Sequence, residues 1–472
     1  MLLRRFVWWV VCAVLWPLAL SAAGPVRLAL DSPTLTAAEK YVFAQVLAGK
    51  PADLEAKFPE GTNRVLRAAF LEALLTQNST NIHRNGFVIA HAVVPDALDL
   101  RNAEVRYEIS LTQCRFEGDV DFTKCVFEKG FSVAGSSFAR SARFYASRMK
   151  SVGNFDQASF DADVSAAQME VIGVLSAQGA RFNSATGLVD FTSLKTADDV
   201  VFHRALFAGP VTFQSARILG NWRFDGSQFT NTRALINFEE ASVGATTTFS
   251  TGQFAGYISF KDGRFAGLDF KKTIWPARAD DHAWLWFNGL TYTRISAGEE
   301  KDSWRNLLQL VQRSARGSAY SGDVFTQLED YYRRLGYPGP ANAFYTARKQ
   351  REREEVLTGF AWAWSFFLQQ FVGFGRSPER AIFWSVVVVG FGCLMFQPHR
   401  MEPQKPEFVG RKYSAFWYSV DVYLPIIKLH DADIWKPKEE YVLTHIWRRI
   451  HTVLGWALIP IAIATWTSMS GH

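Results

Sequence analysis

The sequence predicts a multidomain β-plus-α protein: a parallel β-solenoid with helical caps, followed by a C-terminal two-helix transmembrane region. Three observations carry this. Bulky apolar residues recur at alternating steps of five and six from residue 98 to about 270. Segments with helical periodicity flank that stretch. Two nearly uncharged apolar runs, 381–396 and 452–469, lie in the last quarter of the chain.

At 472 residues the chain is long for one globular domain, so several units are expected. Aromatics make up 15% of it, with 39 Phe and 16 Trp, which suits a periodic aromatic core together with membrane segments. The net charge of +6 permits contact with anionic lipid or nucleic acid and argues for neither. Four Cys, at 12, 114, 125 and 393, are too few for a disulfide framework and lack zinc-finger spacing.

Residues 1–23 have the layout of a secretory signal peptide: Arg4 and Arg5, an apolar run from Phe6 to Leu20, then Ser21-Ala22-Ala23. An N-terminal anchor is the other reading, and both send the next segment across a membrane. Residues 24–97 form the expected helical cap. There "TLTAAEKYVFAQVLAGKP" and "GTNRVLRAAFLEALLTQ" place apolar residues at helical spacing, with Thr34 or Thr36 as N-cap. An uncapped solenoid end would expose apolar core and unpaired strand edges.

The solenoid is assigned to 98–275. From Leu100 its beats fall at Val105, Leu111, Phe116, Phe122, Phe127, Val133, Phe138, Phe144, Met149, Phe155 and Phe160. They continue without a break through Ala166, Val171, Ala177, Phe182 and Leu188. After a disturbance around "SLKTADDV" they resume at Phe202, Phe207, Phe213, Ile218, Phe224 and Phe229. A second slip precedes Phe238, Val243, Phe249, Phe254, Phe260 and Phe265. The phenylalanines of this series from Phe116 to Phe265, Phe202 and Phe238 apart, are the expected structural core. A smaller residue often sits two positions earlier, as at Cys114, Cys125, Ala142, Ala158 and Ala180.

An eleven-residue unit of this kind implies stacked architecture. Eleven residues cannot close around a packed interior, but two units, about 22 residues, make four short sides with one large and one small side chain inward on each. Coils stacked at roughly 4.7–4.9 Å then place each side chain over its equivalent. About eight coils give a rod on the order of 40 Å long.

The triplets "ASF" at 158–160, "ARF" at 180–182, "ALF" at 205–207 and "GRF" at 263–265 resemble the pentapeptide-repeat family. That resemblance implies a right-handed quadrilateral β-helix. The six-residue step is this chain's departure from the family's strict fives.

Residues 276–358 read as a helical linker region of two or three helices, broken at Gly-Ser and at Gly-Tyr-Pro-Gly-Pro. The charge-rich run from Arg348 to Glu355 reads as a solvated helix face. Residues 359–472 are the expected membrane region. "GFAWAWSFFLQQFVGFG" reads as an interfacial helix, and 381–396 and 452–469 as spans slightly short of the roughly 20 residues a crossing needs. Between the spans, 413–427 is expected to dip into the membrane without crossing it.

Two helices around a dipping segment resemble the subunit layout of two-helix potassium channels, in topology alone. Where such a channel carries its Thr-Val-Gly-Tyr-Gly filter, this chain has Val-Tyr-Leu-Pro-Ile, with no glycine. The closer resemblance is to bacterial membrane-bound pentapeptide-type proteins that end in the same "YSVDVYLPIIKL" arrangement, which implies a bacterial inner-membrane address.

Candidate chemistry is sparse. The nine His are scattered, without HExxH or a metal-ligand pair. "ADDHAW", 279–284, reads as a polar turn past the solenoid, and "KLHDADIW", with His430, Asp431 and Asp433, as a solvated interfacial loop. Asp421 is the candidate functional membrane residue, because a carboxylate in an aromatic dipping segment is costly unless paired or wetted. Cys114 and Cys125 occupy small inward positions on opposite sides of a coil, which argues for packing and against a disulfide. No phosphate loop, nucleophile elbow or dinucleotide motif is present, so no catalytic residue, metal or cofactor is assigned.

The expected function is that of a multi-pass inner-membrane protein, not an enzyme. Its periplasmic solenoid would be a rigid scaffold or interaction platform for a protein or envelope partner, with membrane lipid as its other contact. The alternative is a channel-like or transport-associated protein, a homo-oligomer around a path. Mimicry of DNA, known in the pentapeptide family, wants an acidic cytoplasmic rod; no nucleic-acid partner is expected here.

Overall fold

The five-residue and six-residue steps have different backbone causes. In the computed structural model of the chain, which describes residues 34–61, 63–76, 82–276, 284–299, 302–313, 322–424 and 429–470, each five-residue step encloses a tight corner. Between Phe122 and Phe127, Lys124 sits at φ 55° and the Cys125 N–H donates to the Phe122 carbonyl at 3.0 Å. That is a type II turn, whose third residue needs positive φ. Such residues recur every eleven positions, at Asn102, Gln113, Lys124, Gly135, Ala146, Gln157, Gln168 and Gly179, and again from Ser193 through Arg204 and Ser215 to Gly226. At several turns the preceding residue is a brace: Asp121, Asn154 and Asp190 accept from the N–H groups of Thr123, Asp156 and Thr192 at 2.9 Å. Six-residue steps instead enclose a wider corner, such as 117–119.

Four corners make four sides, each a two-residue strand paired in parallel with the coils before and after. One column runs from Val93–Val94 through Arg115–Phe116, Ser137–Phe138, Ser159–Phe160, Arg181–Phe182, Leu206–Phe207 and Gln228–Phe229 to Gln253–Phe254. The others begin at Leu98–Asp99, Glu104–Val105 and Phe87–Ala90. The last two columns are joined by Ser242–Thr248, which pairs with Arg217–Ile218 at its start and Trp222–Arg223 at its end. The parallel β-solenoid is therefore present, with the large residue of each strand inward. Its ladder starts at Phe87–Ala90, ahead of residue 98, because the cap itself contributes Ala52–Asp53 as a strand against it.

Register locates the irregularities. Phe116, Phe138, Phe160 and Phe182 are partners 22 apart, whereas Phe182↔Phe207 and Phe229↔Phe254 are 25 apart. Val164↔Val189 and Val211↔Ile236 are also 25 apart, which confines the extra three residues to 183–188 and 230–235, both at wide corners. The expected unbroken run through Leu188 is corrected accordingly: Leu188 is 43% exposed, and Phe191 takes the inward place. The slip thus comes before the stretch around "SLKTADDV". An apolar residue that happened to fall on the beat hid it.

Every phenylalanine of the expected core is buried, and one column forms a continuous stack. Phe116, Phe138, Phe160, Phe182, Phe207, Phe229, Phe254 and Trp275 lie 4.8–5.3 Å apart, centroid to centroid, at interplanar angles of 3–11°. The strand spacing sets that distance, and it suits offset rings. Each ring contributes roughly 1.5–3 kcal/mol by transfer. Where Ala166 and Ala177 replace the corner aromatics, the core holds a cavity of about 20 Å³ lined also by Phe144, Phe155 and Phe191. Cys114 and Cys125 are buried free thiols, each pushed up to about 12 by burial.

In the N-terminal cap, α1 (Ala37–Ala48) starts at Thr36 with a reciprocal capping box to Glu39. α2 (Leu54–Lys57) follows, and α3 (Ala68–Leu75) covers only the second half of its predicted segment, because Val65 is bridged to Val93. The signal-like 1–23 lies outside the described residues.

The chain divides into two units, and the second holds all the described helices after the solenoid. These are α4 (Ser303–Gln312), α5 (Asp323–Arg334), α6 (Pro338–Glu355), α7 (Gly359–Val372), α8 (Pro378–Met395), α9 (Ala415–Tyr423), α10 (Asp431–Ile434) and α11 (Val442–Ser470). Among the described residues no single helix is long and apolar enough to cross a membrane. α7 and α8, bent by 116° at the break between them, meet that measure only together.

The run 348–355 corrects its expected solvated face. Arg351 and Arg353 are buried, because flat guanidinium groups stack on rings: Arg351 5.9 Å from Phe325, and Arg353 5.6 Å from Phe366 and 6.0 Å from Trp362.

Candidate functional site

Asp421, the residue singled out from sequence, lies on α9 with its carboxylate turned back on the chain. It accepts from the N–H groups of Leu429 and Ala432, both at 2.6 Å. Burial of the charge is thereby offset by two charge-assisted hydrogen bonds, and the segment leading into α10 is tied to α9. His430 and Asp433 are exposed and bond each other at 3.3 Å, as a solvated loop would. Of 279–284 only Trp284 is described, and it is buried.

The polar interior of this unit is centred elsewhere. Ser419 Oγ donates to the Val389 carbonyl at 2.9 Å and lies 3.2 Å from His451 Nε2, which donates to the Ser419 carbonyl at 3.0 Å. Those bonds clamp α8, α9 and α11 together. The Nε2 proton is committed to a carbonyl and both residues are fully buried, so the pair lacks the geometry of a nucleophile and its base. Rings of Phe396, Tyr423 and Trp447 pack around the imidazole, 5.4–5.7 Å away. Tyr423 OH donates to Ser385 Oγ at 2.7 Å, and Ser385 Oγ donates to the Ala381 carbonyl.

The exterior reverses the usual polarity. Phe360 is 83% exposed and Leu443 73%, and Trp362, Trp364, Phe366, Ile382, Phe383, Val386, Leu394, Val442, Val453 and Trp456 are exposed with them. On α7 the rings stack in pairs, Phe360 on Trp364 and Trp362 on Phe366. Large apolar residues therefore face outward on α7, α8 and α11 around hydrogen-bonded Ser, His and Tyr. An exposed patch of this size marks an interaction with a membrane or another protein.

Among the described residues no group of His, Cys, Asp and Glu is arranged to hold a metal ion. Sequence reading missed Ser419 and His451, which lie 32 positions apart; Ser419 stands inside the "YSVDVYLPIIKL" stretch, but nothing in that stretch points to a histidine so far along the chain. The solenoid presents outward polar and charged side chains, with cross-coil pairs such as Arg148–Glu170 at 2.8 Å. No protein-family model, curated protein or solved structure matches the chain.

Proposed function

We propose that this chain is a membrane-held solenoid of the pentapeptide-repeat type, whose rod is a rigid platform for a protein or envelope partner at the bacterial inner membrane. The outward-facing apolar side chains of α7, α8 and α11 around a buried polar interior carry the membrane half of this reading. Flat faces with outward polar residues support the platform half. α7 lies along the interface, with its Trp and Phe at headgroup level. The test is flotation of the full chain with phosphatidylcholine vesicles. Replacement of Phe360, Trp364, Phe383 and Leu443 by Ser should abolish flotation; flotation that survives it would sink the membrane reading. Protease added to the periplasmic side of intact cells should cleave the wide corners of the rod. Crosslinkers placed at Arg143 and Arg217 should converge on one partner.

A second reading, a channel-like assembly, is favoured by one feature. The short helix α9 is wedged between α8 and α11, with the Tyr423 carbonyl against Gly455. It requires ion flux in liposomes that Asp421→Ala abolishes; wild-type liposomes without flux reject it.

A further inference from the structure

We propose that Arg376 and Arg380, beside the aromatic ledge of α7, form a headgroup site for an anionic phospholipid; this rests on the membrane reading above. Charge is concentrated at one place in the helical unit. The Glu329 carboxylate is shared by Arg333 at 2.6 Å, Arg348 at 3.5 Å and Arg376 at 3.6 Å. Arg333 takes the close contact, and the same oxygen is left to Arg376 at a distance too long for a hydrogen bond. Arg376 is held instead by stacking on Tyr345, 4.7 Å from the ring. Arg380 is exposed and donates to the Gln369 backbone carbonyl at 3.0 Å, a bond that neutralises nothing. Both guanidinium groups thus keep donors and charge for a further anion.

Position selects the anion. The two arginines flank Ser377, Pro378 and the exposed Glu379, where the chain turns from α7 into α8 through 116°; they outnumber that carboxylate by two to one. With α7 flat on the interface and the exposed Ile382, Phe383 and Val386 of α8 entering the hydrocarbon, this corner lies at phosphate depth. A phosphodiester there takes bidentate bonds from a guanidinium, while its acyl chains cover the apolar face of α8. The positive end of α8 adds to the attraction.

The experiment reconstitutes the full chain in phosphatidylcholine vesicles with and without phosphatidylglycerol, and measures retained lipid by native mass spectrometry. Phosphatidylglycerol should be retained in preference, and Arg376→Gln and Arg380→Gln should each cut that preference about fivefold. Arg181→Gln, on the solenoid, should leave it unchanged. Arg376→Lys, a milder change if the Gln variants fold poorly, should keep the charge-driven preference and lose the part due to the guanidinium fork. Equal retention of both lipids, or Gln variants that behave as wild type, overturns the site. Displacement of the lipid by inorganic phosphate also overturns it, in favour of an ordinary anion site. A chain that fails to enter even neutral vesicles refutes the membrane reading itself; one that enters them without preference refutes only this inference.

Discussion

The carboxamide of Asn231 donates to the carbonyl of Ala185 at 2.9 Å, which ties together the two three-residue insertions of the solenoid across an intervening coil. Asn231 Oδ1 also accepts from the N–H groups of Arg233 and Ala234, so one side chain both shapes its own loop and holds the other. Asn231→Ala should cost about 1–2 kcal/mol in thermal unfolding followed by β-sheet circular dichroism. Asn231→Asp keeps both acceptor bonds and loses the donor, so about half of that loss should remain. Equal losses in the two variants would assign the whole cost to the bond between insertions; an Asp variant as stable as wild type would show that this bond contributes nothing.

Aromatic rings in the core should differ in worth according to their neighbours. Phe207 lies 4.8 Å from both Phe182 and Phe229, whereas Phe155 faces the cavity beside Ala177. Phe207→Ala should cost close to 5 kcal/mol and Phe155→Ala close to 3 kcal/mol, the two ends of the usual range. The first leaves a void shared by two intact coils; the second enlarges a space already there. Denaturant unfolding of both variants, read against wild type, checks the order.

The tight corners store strain wherever they lack glycine. Ala146 is held at φ 51°, which costs an L-residue roughly 1–2 kcal/mol. Ala146→Gly removes that cost at an entropic penalty of about 0.5–1 kcal/mol, so a net gain near 0.5 kcal/mol is expected. Ala146→Val, β-branched in the left-handed region, should destabilise by more than 1 kcal/mol. Melting temperatures moving in opposite directions would confirm that the turn conformation, not the side chain's packing, decides.

These cases mark what was legible in the sequence. Inward positions are buried, so their chemistry had to be apolar and their spacing could be read directly. Corners face water and tolerate Lys124, Gln157 or Arg204 at positive φ, so the turn that sets the five-residue step leaves no residue signature. Leu188 fell on the beat and concealed an insertion that register alone reveals. In the helical unit, Asp421 was noticeable because a lone carboxylate among aromatics is costly, yet its partners are backbone N–H groups, which no sequence pattern announces. The arginines of α6 were misread for a similar reason: helical spacing of charges does not disclose Phe325 or Trp362 beneath them.

Acid should loosen the N-terminal cap through Glu39. Its buried carboxylate would be raised by desolvation. The Arg67 guanidinium, with the Thr36 and Arg67 N–H groups, outweighs burial and holds it below its ordinary value. A folded pKa below the unfolded one, about 4.3, gives a contribution that is complete above that value and lost as pH falls through the folded pKa. In Arg67→Met burial should win and raise the folded pKa. The group's contribution would then be present at low pH and disappear as pH rises through that value. Hydrogen exchange of α1 against pH, in wild type and Arg67→Met, should show slopes of opposite sign; parallel slopes would remove Glu39 from the account.

Two glycines on one turn of α8 separate helix propensity from helix packing. A Cβ on Gly390 meets nothing within 4 Å, whereas one on Gly392 would lie 2.2 Å from Ser419 Oγ and 2.8 Å from His451 Cε1. Gly390→Ala should therefore stabilise α8 by about 0.5–1 kcal/mol, the ordinary gain over glycine in a helix. Gly392→Ala makes the same gain and forces apart the clamp of Ser419 on Val389 and His451, for a net loss of about 1–3 kcal/mol. Gly455→Ala is harsher, because its Cβ would lie 1.8 Å from the Tyr423 carbonyl, a backbone atom that no rotamer change can move. Thermal unfolding in detergent should rank the variants Gly390→Ala above wild type, then Gly392→Ala, then Gly455→Ala. If Gly392→Ala instead matched Gly390→Ala, the three helices would not be held at Ser419, and the buried polar interior on which the membrane reading leans would lose its anchor.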